Sequence, residues 1–295
     1  MVTRMQEADR AQTSKELSWS EGSVVVEGLR LRYTEIGQGQ PLLLVHGLLV
    51  DHRDWRTLLP RLATSFRCIA LDLPGFGRSE VPSLERFDYR RESFARVLAA
   101  FIASLGVAPV DLCAHSMGGG IALALAQHSP ELLRRLTIID GVCYPFPLPL
   151  LARFSLLPGV GEFTFRYLYN RAVFRHYFRH DVFAGHPAMD AQLVDSYYDA
   201  FDRPLSRRAG YASMRNMLET LPDLATSLAK VQLPVSLIWG TADRLVPFRA
   251  AEQLVKALPD ALLHPIQGAG HAAHIEHPDR AVALIEAHHL GPREK

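Results

Sequence analysis

Residues 110–127 read VDLCAHSMGGGIALALAQ. An apolar run stops at His115, Ser116 and Met117, three glycines follow, and an alanine- and leucine-rich stretch begins. A hydroxyl at such a junction has two uses. It can cap the helix that follows by accepting a hydrogen bond from its first turn, or it can attack a carbonyl carbon. The second use demands more of the chain. A serine hydroxyl is a weak nucleophile, so a base must take its proton and a further group must orient that base.

Short continuous apolar runs, bounded by Gly, Pro or Asp, mark the elements that would carry such groups. Two β-branched runs come first, Ser23–Glu27 and Leu29–Glu35. Further runs lie at Leu42–Val45, Cys68–Leu71, Val110–Cys113, Leu136–Ile139, Val235–Trp239 and Leu262–Ile266. Runs of this kind suit strands buried on both faces. Helical apolar spacing fills the gaps at Asp54–Ala63, Arg90–Leu105, Gly119–Gln127, Phe248–Leu258 and Pro278–His289. The alternation predicts an α/β fold: a mostly parallel sheet covered by helices on both faces, with an antiparallel hairpin at one edge. No strand-like run interrupts residues 143–230, which are rich in Phe, Tyr, Leu, Arg and Pro. They read as a helical cap inserted after strand 6, on the side where the strands' C-terminal ends emerge and where open parallel sheets bind ligands. The core then comprises residues 22–142 and 231–290, after a polar tail over residues 1–21.

Composition narrows the function classes. The 295 residues are 48% hydrophobic, ample for one large core with an insertion. A net charge of +1 leaves no electrostatic footprint for nucleic acid. Cys68, Cys113 and Cys143 form an odd, sparse set that suits reduced, buried thiols in a cytoplasmic setting. The N-terminus lacks the apolar core of a signal peptide. The apolar stretch Val142–Phe165 is broken by Pro145, Pro147, Pro149, Pro158 and Arg153, which argues against a membrane span. Contact with a lipid interface is the lesser alternative.

Ser116 thus falls in the turn between a strand and a helix, flanked by Ala114, Gly118 and Gly119. This arrangement resembles the nucleophile elbow of the α/β-hydrolase family, with Ala114 in the first place of G-x-S-x-G. The resemblance extends to both sides of the cap. Strand Val235–Gly240 leads into Thr241-Ala242-Asp243-Arg244-Leu245-Val246-Pro247, which matches the family's acid loop and implies Asp243 as the acid. After the last strand, Gly268-Ala269-Gly270-His271 implies His271 as the base. Asp140, one strand earlier, is the alternative acid. His46-Gly47-Leu48 resembles the family's H-G-x segment and implies an oxyanion hole made by the backbone N–H groups of Leu48 and Met117. Leu71–Ser79 matches a flanking loop of structural role. The motifs call for no cofactor.

The resemblance implies acyl transfer, with hydrolysis of a small apolar carboxylic ester as the leading expectation. A serine nucleophile sets the chain apart from epoxide hydrolases and haloalkane dehalogenases, which use aspartate. Leu49 also stands where epoxide hydrolases tend to carry proline. One alternative is a C–C bond hydrolase of vinylogous diketones, whose Ser-Met-Gly-Gly fits Ser116–Gly119. Such enzymes often have Asn before the serine and Trp after the histidine, where this chain has His115 and Ala272. The other alternative is a non-catalytic ligand sensor on the same fold. Three features read as decoys. His271, His274 and His277 lack a recognised zinc spacing, so no metal is expected. Gly75-Phe76-Gly77 lacks the third glycine of a dinucleotide loop. Arg171, Arg175 and Arg179 share one helix face and read as solvated, ahead of a stripe for anionic lipid or a carboxylate. His115 reads as a wall of the site or a packed side chain.

Overall fold

The computed structural model describes residues 19–148, 153–154, 156–157 and 159–292. Every residue of the strand leading to Ser116, β5 (Val110–His115), is buried, because β5 lies inside the sheet with helices on both faces. The other strands are β1 (Ser20–Val26), β2 (Leu29–Ile36), β3 (Gln40–Val45), β4 (Phe66–Asp72), β6 (Leu133–Ile139), β7 (Val235–Gly240) and β8 (Ala261–Ile266). Their order is β1-β2-β4-β3-β5-β6-β7-β8. Pairing is antiparallel from β1 to β2 and from β2 to β4, and parallel across the rest. All eight expected runs are strands. β1 begins at Ser20, inside the expected tail; residues 1–18 of that tail lie outside the described residues.

Helices α1 (Arg91–Leu105) and α2 (Met117–His128) pack on one face of the sheet. Residues Met117–Ala126 of α2 are all buried, as its alanine- and leucine-rich sequence requires. The other face is covered by Leu59–Leu62 and by the C-terminal helix, which supplies Ala281, Leu284 and Ile285. One expected helix is broken. Asp54–Ala63 divides into a 3-10 turn, His52–Trp55, and a single helical turn, Leu59–Leu62. Pro60 has no N–H to offer the carbonyl of Arg56, so the ladder cannot run through.

Between β6 and β7 the described residues form helices and no strand. They include α3 (Arg171–Tyr177), α4 (Ala191–Phe201) and α5 (Pro204–Glu219). Phe165, Phe174, Phe178, Tyr197 and Phe201 make an aromatic core that rests on Leu49 and Ala272 of the sheet's loops and on Ile275. The arginine stripe of α3 is an inter-helix contact: Arg171 bonds Asp195 and Asp199, and Arg175 bonds Asp195, all from α4. The first two arginines of the expected stripe are therefore already paired, and Arg179 lies beyond α3, in the turn Phe178–Val182. Part of Val142–Phe165 lies outside the described residues, and no described helix is long and apolar enough to cross a membrane.

After α5 come α6 (Phe248–Ala257), α7 (Ala273–Glu276) and the C-terminal α8 (Pro278–Leu290). The start of α2 presses hard on β3. A Cβ on Gly118 would lie 2.6 Å from the Val45 carbonyl oxygen and 2.8 Å from that of His46. Both are backbone atoms of a buried strand end and cannot swing away. Gly118→Ala is expected to lower stability by about 2–4 kcal/mol in denaturant titration. Gly106→Ala meets open space and costs about 1 kcal/mol for its left-handed φ of 63°. Equal losses in the two variants would contradict the close approach.

Candidate active site

Ser116 joins β5 to α2 with φ 51° and ψ −117°, a region L residues rarely occupy and that costs about 1–3 kcal/mol. Backbone bonds hold it there. Its N–H donates to the Ile139 carbonyl at 2.9 Å, and its own carbonyl accepts from Val142 at 2.9 Å and Gly119 at 3.0 Å. The side chain makes no capping bond to α2. It points instead at the loop after β8, where Ser116 Oγ–H donates to His271 Nε2 at 2.8 Å.

Asp243 lies in the loop after β7. Its Oδ1 accepts the N–H groups of Leu245 and Val246 at 2.8 and 2.9 Å, which fixes the carboxylate. Its Oδ2 accepts from His271 Nδ1–H at 2.8 Å. A carboxylate on Nδ1 sets the tautomer, so the Nε2 lone pair faces the serine hydroxyl. Asp140 does not reach the imidazole. Its two oxygens accept the N–H groups of Gly240 at 2.8 Å and Ala273 at 3.1 Å. Burial, with Asp243 nearby, pushes its pKa well up. Asp140 thus fastens the end of β7 to the start of α7 and so brackets the loops that carry Asp243 and His271.

Ser116 and His271 line a cavity of about 760 Å³. Leu48 and Met117 are on its wall, and their backbone N–H groups have no protein acceptor among the described residues. Gly47 packs against the serine: a Cβ there would lie 3.0 Å from Ser116 Cβ. Most other lining groups are apolar, among them Leu49, Val142, Phe146 and Ile275 together with cap residues such as Phe165 and Tyr177. The helical segment between β6 and β7 also touches His271 directly, since the Val182 carbonyl accepts the His271 N–H at 2.7 Å.

Several polar residues around the site carry no motif. His115 Nδ1 contacts Asp54 Oδ2 at 2.7 Å, and His115 Nε2 contacts the His271 carbonyl oxygen at 2.8 Å. His274 lies against His115, tilted, with ring centroids 4.5 Å apart, while His277 lies against His186, so the three histidines 271, 274 and 277 do not converge. Asp54, His115 and His274 do converge. The 2.7 Å contact of His115 Nδ1 with Asp54 Oδ2 is a direct hydrogen bond, closer than the roughly 3.4 Å between two ligands of one tetrahedral zinc with bonds near 2.0–2.1 Å. Asp54 is 61 residues from His115, and no spacing rule connects them. Glu276 Oε2 accepts the Gly270 N–H at 2.9 Å, while its Oε1 has no partner among the described residues.

Burial pushes the Glu276 carboxyl up from 4.5 to about 7. The folded protein then holds this proton more tightly than the unfolded chain. Stability from this group is present at low pH and is lost as pH rises between about 4.5 and about 7. Glu276→Gln removes the dependence. The variant is expected to gain about 1–2 kcal/mol on the wild type in melts at pH 8 compared with pH 4.5, after discount for partial solvent access. A difference independent of pH would contradict it.

The chain matches the family model of the alpha/beta hydrolase fold over residues 40–278. It is 29% identical over 273 residues to a 2-hydroxymuconate semialdehyde hydrolase of Pseudomonas sp. (strain CF600), covering 89% of this chain and 91% of that one. It is 28% identical over 268 residues to a 2-hydroxy-6-oxononadienedioate/2-hydroxy-6-oxononatrienedioate hydrolase of Escherichia coli O139:H28 (strain E24377A / ETEC), covering 87% and 90%. Among solved structures, a membrane phospholipase A described as a bacterial virulence factor superposes with a TM-score of 0.76 at 28% identity, over 99% of this chain and 93% of that one. The sheet order, the elbow and the matched model agree: this chain belongs to the α/β-hydrolase fold family.

Proposed function

We propose that the chain is a serine hydrolase that opens a carbonyl substrate through an acyl-enzyme, with Ser116 as nucleophile, His271 as base and Asp243 as orienting acid. The observation that carries this reading is the unbroken chain from Ser116 Oγ–H to His271 Nε2 and from His271 Nδ1–H to Asp243 Oδ2, each 2.8 Å, at the wall of an apolar cavity. As Oγ adds to the carbonyl carbon, its proton passes to Nε2 and Asp243 stabilises the imidazolium. The N–H groups of Leu48 and Met117 receive the developing alkoxide. The imidazolium then protonates the leaving group, and water, deprotonated by His271, releases the acid.

The triad does not choose between an oxygen and a carbon leaving group, because either departs with the proton from His271. The activities named for the two curated relatives support C–C cleavage of a vinylogous diketone, and that reading takes precedence over the ester expected from the motifs alone. A cation at the cavity edge supports it too. Arg244 donates to the His180 carbonyl at 3.1 Å and has no carboxylate partner among the described residues, so it is available to a substrate carboxylate. Ester hydrolysis is the second reading. It is favoured by the apolar walls, by the partly exposed Phe154, Leu168 and Val173 that line the cavity, and by His115 and Ala272 in place of Asn and Trp.

Steady-state assays separate these readings. With 2-hydroxymuconate semialdehyde and with p-nitrophenyl butyrate and decanoate, kcat/KM is expected to be at least about 10-fold higher for the C–C substrate; the reverse order assigns the chain to esters, and turnover of none supports the sensor. Ser116→Ala is expected to lower turnover at least about 10⁴-fold and Asp243→Asn by about 10³–10⁴-fold, with Asp140→Asn losing less than about 10-fold. Retained turnover in Ser116→Ala rejects the nucleophile. A large loss in Asp140→Asn beside a small one in Asp243→Asn transfers the acid role.

A further inference from the structure

His46 and His115 are both buried histidines, and they differ in what their ring nitrogens face. His46 Nδ1 contacts the Gly47 carbonyl at 2.7 Å, while its Nε2 accepts the Leu73 N–H at 3.0 Å. One acceptor and one donor suit a neutral ring. His115 meets two acceptors: the Asp54 carboxylate at Nδ1 and the His271 carbonyl at Nε2, at 2.7 and 2.8 Å. A backbone carbonyl has no hydrogen to give, so Nε2 must carry one. The Asp54 contact holds a second proton, on either the carboxyl or the ring.

We propose that this proton sits on the ring, making His115 a buried imidazolium paired with Asp54, and that the pair acts as a positioning clamp that fixes the main chain of His271 behind the triad. The assignment of His271 as base rests on the function proposed above; the charge state of His115 does not. The clamp works opposite the cap. Val182 holds the His271 N–H from one side, and His115 holds the His271 carbonyl from the other. With both peptide groups tied, the imidazole keeps its line between Asp243 and Ser116.

The surroundings favour the ion pair. Burial opposes charge on Asp54, but the His115 imidazole bonded to it at 2.7 Å is the leading influence the other way, and the carboxyl lies below its usual range. Burial likewise opposes charge on His115, and Asp54 outweighs it, leaving the imidazole above its ordinary value. The other titratable groups facing the pair are His274 on α7, His271 and Asp243 on the two loops, Tyr197 on α4 and Cys113 on β5. Burial holds His274 below its ordinary value and the Tyr197 and Cys113 groups above theirs, which keeps all three uncharged near neutrality. Asp243 is tied to His271 and two backbone N–H groups. Asp54 is therefore the close counter-charge.

Long-range ¹H–¹⁵N NMR of the imidazole nitrogens tests the charge directly. The His115 resonances are assigned in the wild type by through-bond correlation from the His115 backbone amide, and His46 serves as the internal neutral reference. At pH 7 both His115 nitrogens are expected in the protonated range, in the wild type and in Ser116→Ala alike. A neutral tautomer in the wild type overturns the proposal even if no variant folds, and the same spectrum stands whether or not the protein turns over ester or diketone. The clamp is tested by pH profiles of kcat. The wild type is expected to show an alkaline limb as His115 loses its proton. That limb moves to lower pH in Asp54→Asn and disappears in His115→Asn, whose kcat falls about 10-fold with a smaller change in KM. Unchanged kcat and an unchanged limb in His115→Asn overturn the positioning role.

Discussion

A serine held at φ 51° does not stay there unless its surroundings prevent relaxation, and much of the site follows from that requirement. β5 is fully buried and cannot shift along its axis, while α2 is buried along nearly all its length and cannot tilt. The two are joined by one residue, so the strain is confined to Ser116. The glycines after it remove side chains rather than add flexibility. Gly118 lets the helix touch the β3 carbonyls, and Gly119 and Gly120 would bring a Cβ within 3 Å of Ile138 and of the Val142 carbonyl. That approach sets the first N–H groups of α2 beside the Gly47–Leu48 turn.

The second requirement is that a loop hold a histidine as firmly as a strand would. The loop after β8 is fastened to four other parts of the chain: the cap through Val182, β6 through Asp140, its own helix through Glu276, and β5 through His115. Three of these ties use buried carboxyl or imidazole groups, which are costly to bury without partners. Such groups are poorly explained as stability devices, since apolar replacements often do as well. They make sense as devices that fix position. The helical segment between β6 and β7 both lines the cavity and holds the His271 backbone through Val182.

The sequence made the sheet legible because its strands are short, apolar and punctuated, and the three candidate residues legible because each sits at a strand end within a local pattern. Ser116, Asp243 and His271 meet as those patterns imply, and Asp140 turns out to serve the backbone. The second set of polar residues was not legible. Asp54 sat inside an apparent helix that Pro60 in fact breaks, and its partner His115 is remote in sequence with no periodic relation to it. The arginines of α3 looked solvated because their partners, Asp195 and Asp199, lie on another helix. Local periodicity reports which face of an element is buried, and it carries no information on which buried polar side chains from different elements meet. Substrate choice is hidden for a related reason: the cavity wall is assembled from the cap, where no spacing rule applies.

The central claim is that one hydroxyl among many is activated by this geometry. It is tested most directly by treating the folded protein with a fluorophosphonate and mapping the adduct by peptide mass spectrometry. The account predicts a single stoichiometric adduct on Ser116, lost in His271→Ala with the fold intact. Labelling of a different residue, or no labelling of folded wild-type protein, would contradict it.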